Sequence, residues 1–219
     1  GISPGNRCQR ATRLLCWIKI KPLILSALMT SQRTMPVESM QGPWVQVLFF
    51  EDGREPRSGG LYLIELDGLV HKVAYDIQLT NGLGFSPDGK TLYHSDSAHD
   101  HINCYSVSAG GFLSEKQLFA TTEIGSPDGL VVSEDGRVWV ALPGGRGVGV
   151  YHPDGSYDQL IEIPEPMCTS VCFGGDDLKD LYIVSGSRGS DSERAGAVYV
   201  QRVDVAGLAV PLARVFVSF

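Results

Sequence analysis

Three oxygen-bearing side chains stand in the same local setting. Asn81 opens "NGLGFSPDGKTLYHSD", Asp128 opens "DGLVVSEDGRVWVAL", and Thr169 opens "TSVCFGGDDLKDLYIV". Each is followed by Gly or Ser, an apolar run, a polar turn and a second apolar run, and the three lie 47 and then 41 residues apart. An amide, a carboxylate and a hydroxyl converging on one point would offer oxygen ligands to a hard or borderline divalent cation such as Ca²⁺, Mg²⁺, Mn²⁺ or Zn²⁺. Of the three, Asp128 is the group able to take a proton from a bound water.

The tetrapeptide Ser-Pro-Asp-Gly occurs at 86–89 and again at 126–129, and the alignment separates the two. Asp88 aligns with Asp135 inside the turn that follows an apolar run, whereas Asp128 precedes its run and aligns with Asn81. Asp88, Asp135 and Asp154 are therefore read as turn formers, a role for which Asp-Gly is suited. Asp128 is left as the functional candidate.

A second pattern interleaves with the first. "GLYLIELDG", "HINCYSV", "GVYHPDG" and "GAVYV" place Tyr62, Tyr105, Tyr151 and Tyr199 in strand-like runs 43, 46 and 48 residues apart. Apolar runs joined by Asp-Gly turns read as β-hairpins, and two hairpins per repeat make a four-stranded unit. That period predicts an all-β fold, a β-propeller whose inner strands carry Asn81, Asp128 and Thr169 to the mouth of a central channel. Long helical periodicity, which helical repeats require, is missing. Residues 59–219 supply about three and a half repeats of ~45 residues, fewer than a closed ring needs. The expected organisation is an atypical segment over 1–50 and propeller blades over 51–219.

These segments also carry a family resemblance. "TNGLGFSPDGKTLYHSDS", "SPDGLVVSEDGRVWVAL" and "CTSVCFGG", in this order and spacing, resemble the gluconolactonase, senescence-marker-protein (regucalcin) and luciferin-regenerating-enzyme-like family, over about Phe50 to Gly196. The resemblance implies a six-bladed propeller, here lacking most of its first two blades, that holds one divalent cation (Ca, Zn, Mg or Mn). It also implies metal-dependent hydrolysis of a sugar lactone or related cyclic ester. Carried over by position, Asn81 matches a metal-ligating Asn, and Asp128 matches the Asp that serves as ligand and general base. A first-blade Glu and a second-blade Asn of the family have no matching context, since Glu38 in "PVESMQGPW" is the one acid of residues 1–50. This gap keeps a second reading in view: a non-catalytic propeller, either a cation-binding regulator or an interaction scaffold, or an inactive fragment.

Composition bounds the partners. A net charge of −7 argues against nucleic acid, which calls for a basic face. Arg7, Arg10, Arg13, Lys19 and Lys21 precede or interrupt an apolar run that includes Leu14, Trp17, Ile18 and Leu23 to Leu25. The stretch resembles a targeting peptide but is too short and too broken by Pro22 to span a membrane. It is read as a chain-end tail or a mis-assigned gene start. Of the five cysteines, Cys168 and Cys172 lie four residues apart on one expected strand, about 13 Å, too far to bond to each other. Reduced thiols point to a cytoplasmic setting, with a small-molecule lactone as partner and no membrane.

Other signals reduce to structure. His94, Asp96, His99, Asp100 and His101 lie at a strand end and its turn, without helical metal spacing, and Asp96 is expected to order that strand end. "GGRGVG" at 144–149 precedes a strand rather than a helix, so it is a loop. No Gly-x-Ser-x-Gly elbow is present. Arg188 in "SGSRGS" is within reach of the channel mouth, with loop ordering as its ordinary role.

Overall fold

The structure, a computed structural model, describes residues 24–25, 59–64 and 69–209. Among these there is no helix; the chain forms fourteen strands in four antiparallel sheets. The first sheet has the order β1 (Ile24–Leu25), β2 (Gly59–Ile64), β3 (Val70–Ile77). The second is β4 (Thr80–Phe85), β5 (Thr91–Asp96), β6 (His101–Ser106), β7 (Gln117–Thr121). The third is β8 (Leu130–Val132), β9 (Val138–Leu142), β10 (Gly147–Tyr151), β11 (Tyr157–Glu162). The fourth is β12 (Cys168–Gly174), β13 (Asp180–Ser185), β14 (Val198–Arg202).

The second, third and fourth sheets are meanders of strands consecutive in sequence, as a propeller blade requires. The four tyrosines of the second repeat pattern fall on β2, β6, β10 and β14, and the runs headed by Asn81, Asp128 and Thr169 become β4, β8 and β12. β1 pairs Ile24 with Leu63 and Leu25 with Tyr62. The rest of residues 1–50, including Cys8, Cys16, Glu38 and the basic run, lies outside the described residues.

The core explains why the middle strands are apolar without alternation. Three buried clusters form, each between two consecutive sheets. Leu61, Ala74 and Ile77 meet Leu92 and Tyr105 between the first and second sheets. Tyr93 and Ile102 meet Val138, Val140 and Leu142 between the second and third. Trp139, Ala141, Val148 and Val150 meet Phe173, Leu181 and Ile183 between the third and fourth. β9 therefore sends Val138, Val140 and Leu142 into one cluster and Trp139 and Ala141 into the next, and all five of its residues are buried. A strand covered on both faces reads as a continuous apolar run.

The Asp-Gly turns form as expected. Asp88 Oδ1 accepts from Ser86 Oγ (2.7 Å) and from the Lys90 N–H (3.0 Å). Asp154 Oδ1 accepts from the Ser156 N–H and hydroxyl (2.9 and 2.6 Å), and Asp135 Oδ1 accepts from Ser133 Oγ (2.5 Å). Gly89, Gly136 and Gly155 follow at φ 70°, 86° and 88°, where a side chain would strain the backbone. In the fourth sheet Leu178 holds the equivalent position at φ 57°.

Candidate functional site

The residues after the three candidates create the geometry. The Gly82 N–H donates to the Asp128 carbonyl (2.9 Å), and the Gly129 N–H donates to the Thr169 carbonyl (3.2 Å). The same bond thus links β4 to the β8 entry and the β8 entry to β12, one sheet further round. Close approach requires glycine here: a Cβ on Gly82 would lie 2.3 Å from the Leu130 nitrogen, and one on Gly129 would lie 2.7 Å from Ser170 Oγ. Asn81, Asp128 and Thr169 are consequently neighbours on an arc of inner strands, as the repeat alignment predicts.

Asp128 is held from both sides. Its N–H donates to the Ala141 carbonyl (2.9 Å), and the Ala141 N–H returns a bond to the Gly129 carbonyl (2.8 Å). Burial pushes the Asp128 carboxyl up to about 7, and the neighbouring Gly129 N–H offsets this only partly. Among the described residues no Lys, Arg or His forms an ion pair with it.

Asn81 is oriented by a relay. Ser97 Oγ donates its single hydrogen to the Pro127 carbonyl (2.5 Å), so it can only accept from Asn81 Nδ2 (2.8 Å). The amide nitrogen of Asn81 is thereby committed to Ser97, leaving its carbonyl oxygen for a ligand. Thr169 behaves differently: its hydroxyl donates back to the Val184 carbonyl of its own sheet (3.4 Å). Position brings Thr169 to the arc, while its hydroxyl is turned to structure.

A half-buried carboxylate with no cationic partner among the described residues, joined by a main-chain bond to the strand that carries Asn81, is donor chemistry that suits a divalent cation. Among the described residues no group of three or more His, Cys, Asp or Glu is placed to hold a metal. A cation at Asp128 and Asn81 would complete its shell from amide, main-chain or water oxygens.

The His/Asp cluster disperses. His94 is fully buried, bonded through Nε2 to Thr80 Oγ1 (2.8 Å), and burial pushes its pKa down to about 4, keeping it neutral. Asp96 is buried and accepts from the Leu79 N–H (3.1 Å), ordering the strand end as expected. His99 is solvent-facing, 3.1 Å from Asp96 Oδ2, and its ring stacks on His101. The 144–146 segment is the turn between β9 and β10.

Comparison with known proteins then decides the family. The SMP-30/gluconolactonase/LRE-like region matches residues 40–187. The chain belongs to this family. A 6-deoxy-6-sulfogluconolactonase of Pseudomonas putida is 34% identical over 168 residues, 73% of this chain and 58% of that protein. An L-arabinolactonase of Azospirillum brasilense is also 34% identical, over 73% of this chain and 56% of that one. Among solved structures, a calcium-binding regucalcin of Agrobacterium tumefaciens matches with a TM-score of 0.65 at 28% identity, over 71% of this chain and 56% of its own. A luciferin-regenerating enzyme matches with a TM-score of 0.64 at 31% identity, covering 72% of this chain and 57% of that one. The chain thus spans a little over half the length of each of these four proteins.

Within this family frame, two site residues escaped the sequence reading. Ser97 fixes the Asn81 amide but belongs to the β5 end, thirty residues from the Pro127 carbonyl it bonds. Cys168 is fully buried next to the arc; burial, with the Asp128 charge adding to it, pushes its thiol up to about 12, so it stays protonated. Its position one residue before Thr169 was the available signal.

Proposed function

We propose that this chain carries part of a divalent-cation-dependent lactonase site, in which Asp128 and Asn81 hold the cation and Asp128 is the general base. The observation that carries this is the half-buried Asp128 carboxyl, which has no ion pair among the described residues and stands one main-chain bond away from the strand that presents Asn81. The relatives named as lactonases, acting on a sulfonated gluconolactone and on an arabinolactone, support a sugar lactone as substrate.

When bound, a divalent cation supplies Lewis acidity to the lactone carbonyl and acidity to a coordinated water. Asp128 accepts the proton as the water oxygen bonds to the carbonyl carbon, and returns it to the ring oxygen as the ring C–O bond breaks, leaving a hydroxy acid. Asn81, locked by Ser97, presents its oxygen in a fixed direction. Cys168, held as a thiol, takes no nucleophilic part. Main-chain bonds to Ala141 and from Gly82 keep Asp128 in place without spending its carboxylate.

A cytoplasmic setting fits the free thiols of Cys104, Cys168 and Cys172, and no helix among the described residues is long and apolar enough to cross a membrane. Calorimetric titration with CaCl₂, ZnCl₂, MgCl₂ and MnCl₂, followed by acid release from glucono-δ-lactone, tests the proposal. Saturable binding that disappears in Asp128→Ala, with turnover lost in step, is the expected result. A folded chain with no affinity for any of the four ions overturns it. Binding without turnover instead selects the second reading, a cation-binding propeller, which is favoured by Asn81 and Asp128 being the two donors that family position assigns among the described residues.

A further inference from the structure

Glu165 is a buried acid that the catalytic reading does not use. It is 1% exposed, lies in the connection between β11 and β12, and accepts from Ser190 Oγ (2.5 Å) and from the Tyr199 hydroxyl (3.4 Å). The Ser190 hydroxyl holds its carboxyl below the usual range, so it is an ionised group. A desolvated carboxylate is costly, and its retention calls for a task that an apolar contact would not perform.

Its contacts define that task. Ser190 belongs to the 186–197 loop between β13 and β14. That loop starts at the arc: the Gly186 N–H donates to the Met167 carbonyl (2.7 Å), and a Cβ on Gly186 would stand 3.6 Å from Thr169 Cγ2. The loop then folds on itself, with Ser192 N–H donating to Ser190 Oγ (3.2 Å) and Arg194 N–H to Ser192 Oγ (3.0 Å). Glu165 is therefore the tie between a self-ordered loop and the connection that leads into β12 at the end of the arc. Arg188 follows Gly186 by two residues, at most about 7 Å of main chain. It is exposed, and among the described residues it makes no hydrogen bond or ion pair, with the loop acids Asp191 and Glu193 included. A guanidinium without a partner among the described residues, on a loop that starts at the arc, is suited to bidentate recognition of an oxyanion.

We propose that Glu165 anchors the 186–197 loop at the channel entrance so that Arg188 grips an anionic substituent, a phosphate, sulfonate or carboxylate, carried by the lactone away from its ring ester. This rests on the lactonase reading for the nature of the substrate. Arg188 is the substrate contact; Glu165 is a positioning residue that acts through Ser190.

Two measurements separate this from the catalytic reading. Calorimetry with sorbitol 6-phosphate and sorbitol, which carry no lactone ring, reads the anion contact alone. The wild-type chain binds the phosphate ester more tightly, and Arg188→Gln loses about 10- to 100-fold in that affinity while sorbitol is unaffected. With 6-phosphoglucono-δ-lactone, Arg188→Gln raises KM at unchanged kcat. Glu165→Gln and Ser190→Ala raise KM in the same direction by less, and the double variant is no worse than the poorer single one. Cation affinity stays at the wild-type value in all of them. Equal affinity of the wild-type chain for the two polyols, or equal losses of both in Arg188→Gln, overturns the proposal. Discrimination between the polyols without any lactone turnover sinks the catalytic reading and leaves the anion contact standing.

Discussion

Replacing Gly82 by Ala tests the arc at its tightest point. The new methyl would lie 2.3 Å from the Leu130 nitrogen and 2.6 Å from the Asp128 carbonyl oxygen, both main-chain atoms that cannot rotate away. Ordinary van der Waals contact starts about 1 Å further out, so β4 and the β8 entry must separate by roughly that amount. The 2.9 Å bond from Gly82 to Asp128 is then lost. A stretched buried hydrogen bond costs about 1 kcal/mol and overpacking a further 1–3 kcal/mol, for a total of about 2–4 kcal/mol. Because that bond sets the spacing of Asn81 and Asp128, the proposed cation site predicts that cation affinity falls with stability. Urea denaturation with and without the cation reads both quantities, and Gly89→Ala is the control. Gly89 has open space around it at φ 70° and should cost only the left-handed penalty of about 1 kcal/mol, with cation affinity intact. If Gly82→Ala is within about 0.5 kcal/mol of the wild-type chain, or binds the cation as well, the argument for the arc fails.

Further expectations follow from the same contacts. His94 has its pKa depressed from 6.5 to about 4, so between those values the unfolded chain takes up a proton that the folded chain refuses; stability rises with pH across that window and is lost as pH falls through it. The wild-type chain should lose about 2 kcal/mol more than His94→Gln between pH 7 and pH 5, read as unfolding free energy at each pH. Asp128 carries the opposite sign: burial raises its pKa from 3.8 to about 7, so its ionisation costs stability increasingly as pH rises through that range. Asp128→Asn should therefore stabilise the metal-free chain by up to about 4 kcal/mol at pH 8, with a smaller gain at pH 5, and under the proposed lactonase function it should abolish lactone turnover. Trp139→Ala empties a cluster shared by two sheets and should cost about 3–5 kcal/mol in the same assay. Arg202→Ala should leave Tm within scatter, although Arg202 bonds Asp177 and Asp180, because that network is solvent-exposed.

The arc was legible because propeller repeats put equivalent residues at equivalent heights. Asn81, Asp128 and Thr169 pair by their flanking glycine, serine and apolar runs, and the Asp-Gly turns separate Asp88 from Asp128 in the same way. What stayed hidden depends on contacts between distant segments. Ser97 matters only because the Pro127 carbonyl sits beside it, and Glu165 has no repeat counterpart among Asn81, Asp128 and Thr169. Thr169 has the right position, yet its hydroxyl is drawn to the Val184 carbonyl by strand pairing that residue type does not announce. The run starting at Asp128 also becomes a shorter strand than its pattern indicates, beginning at Leu130. Asp128 and Gly129 divide their main-chain groups between Ala141 of β9 and the neighbouring sheets' Gly82 and Thr169, so the entry to β8 serves its own sheet and the arc at once.

The sharing of each apolar cluster by two sheets has a consequence for how the molecule comes apart. No sheet encloses an interior of its own, so unfolding one lays bare a face of each sheet beside it. Val138 and Trp139, adjacent in sequence, report on different boundaries, and β9 is the wall through which a disturbance on one side reaches the other. Energetically the four sheets form a line of neighbours, each stabilised mainly by the next. A change at Val140 should be felt in the sheet carrying Asn81 and one at Ala141 in the sheet carrying Thr169, with Asp128 standing where the two influences meet.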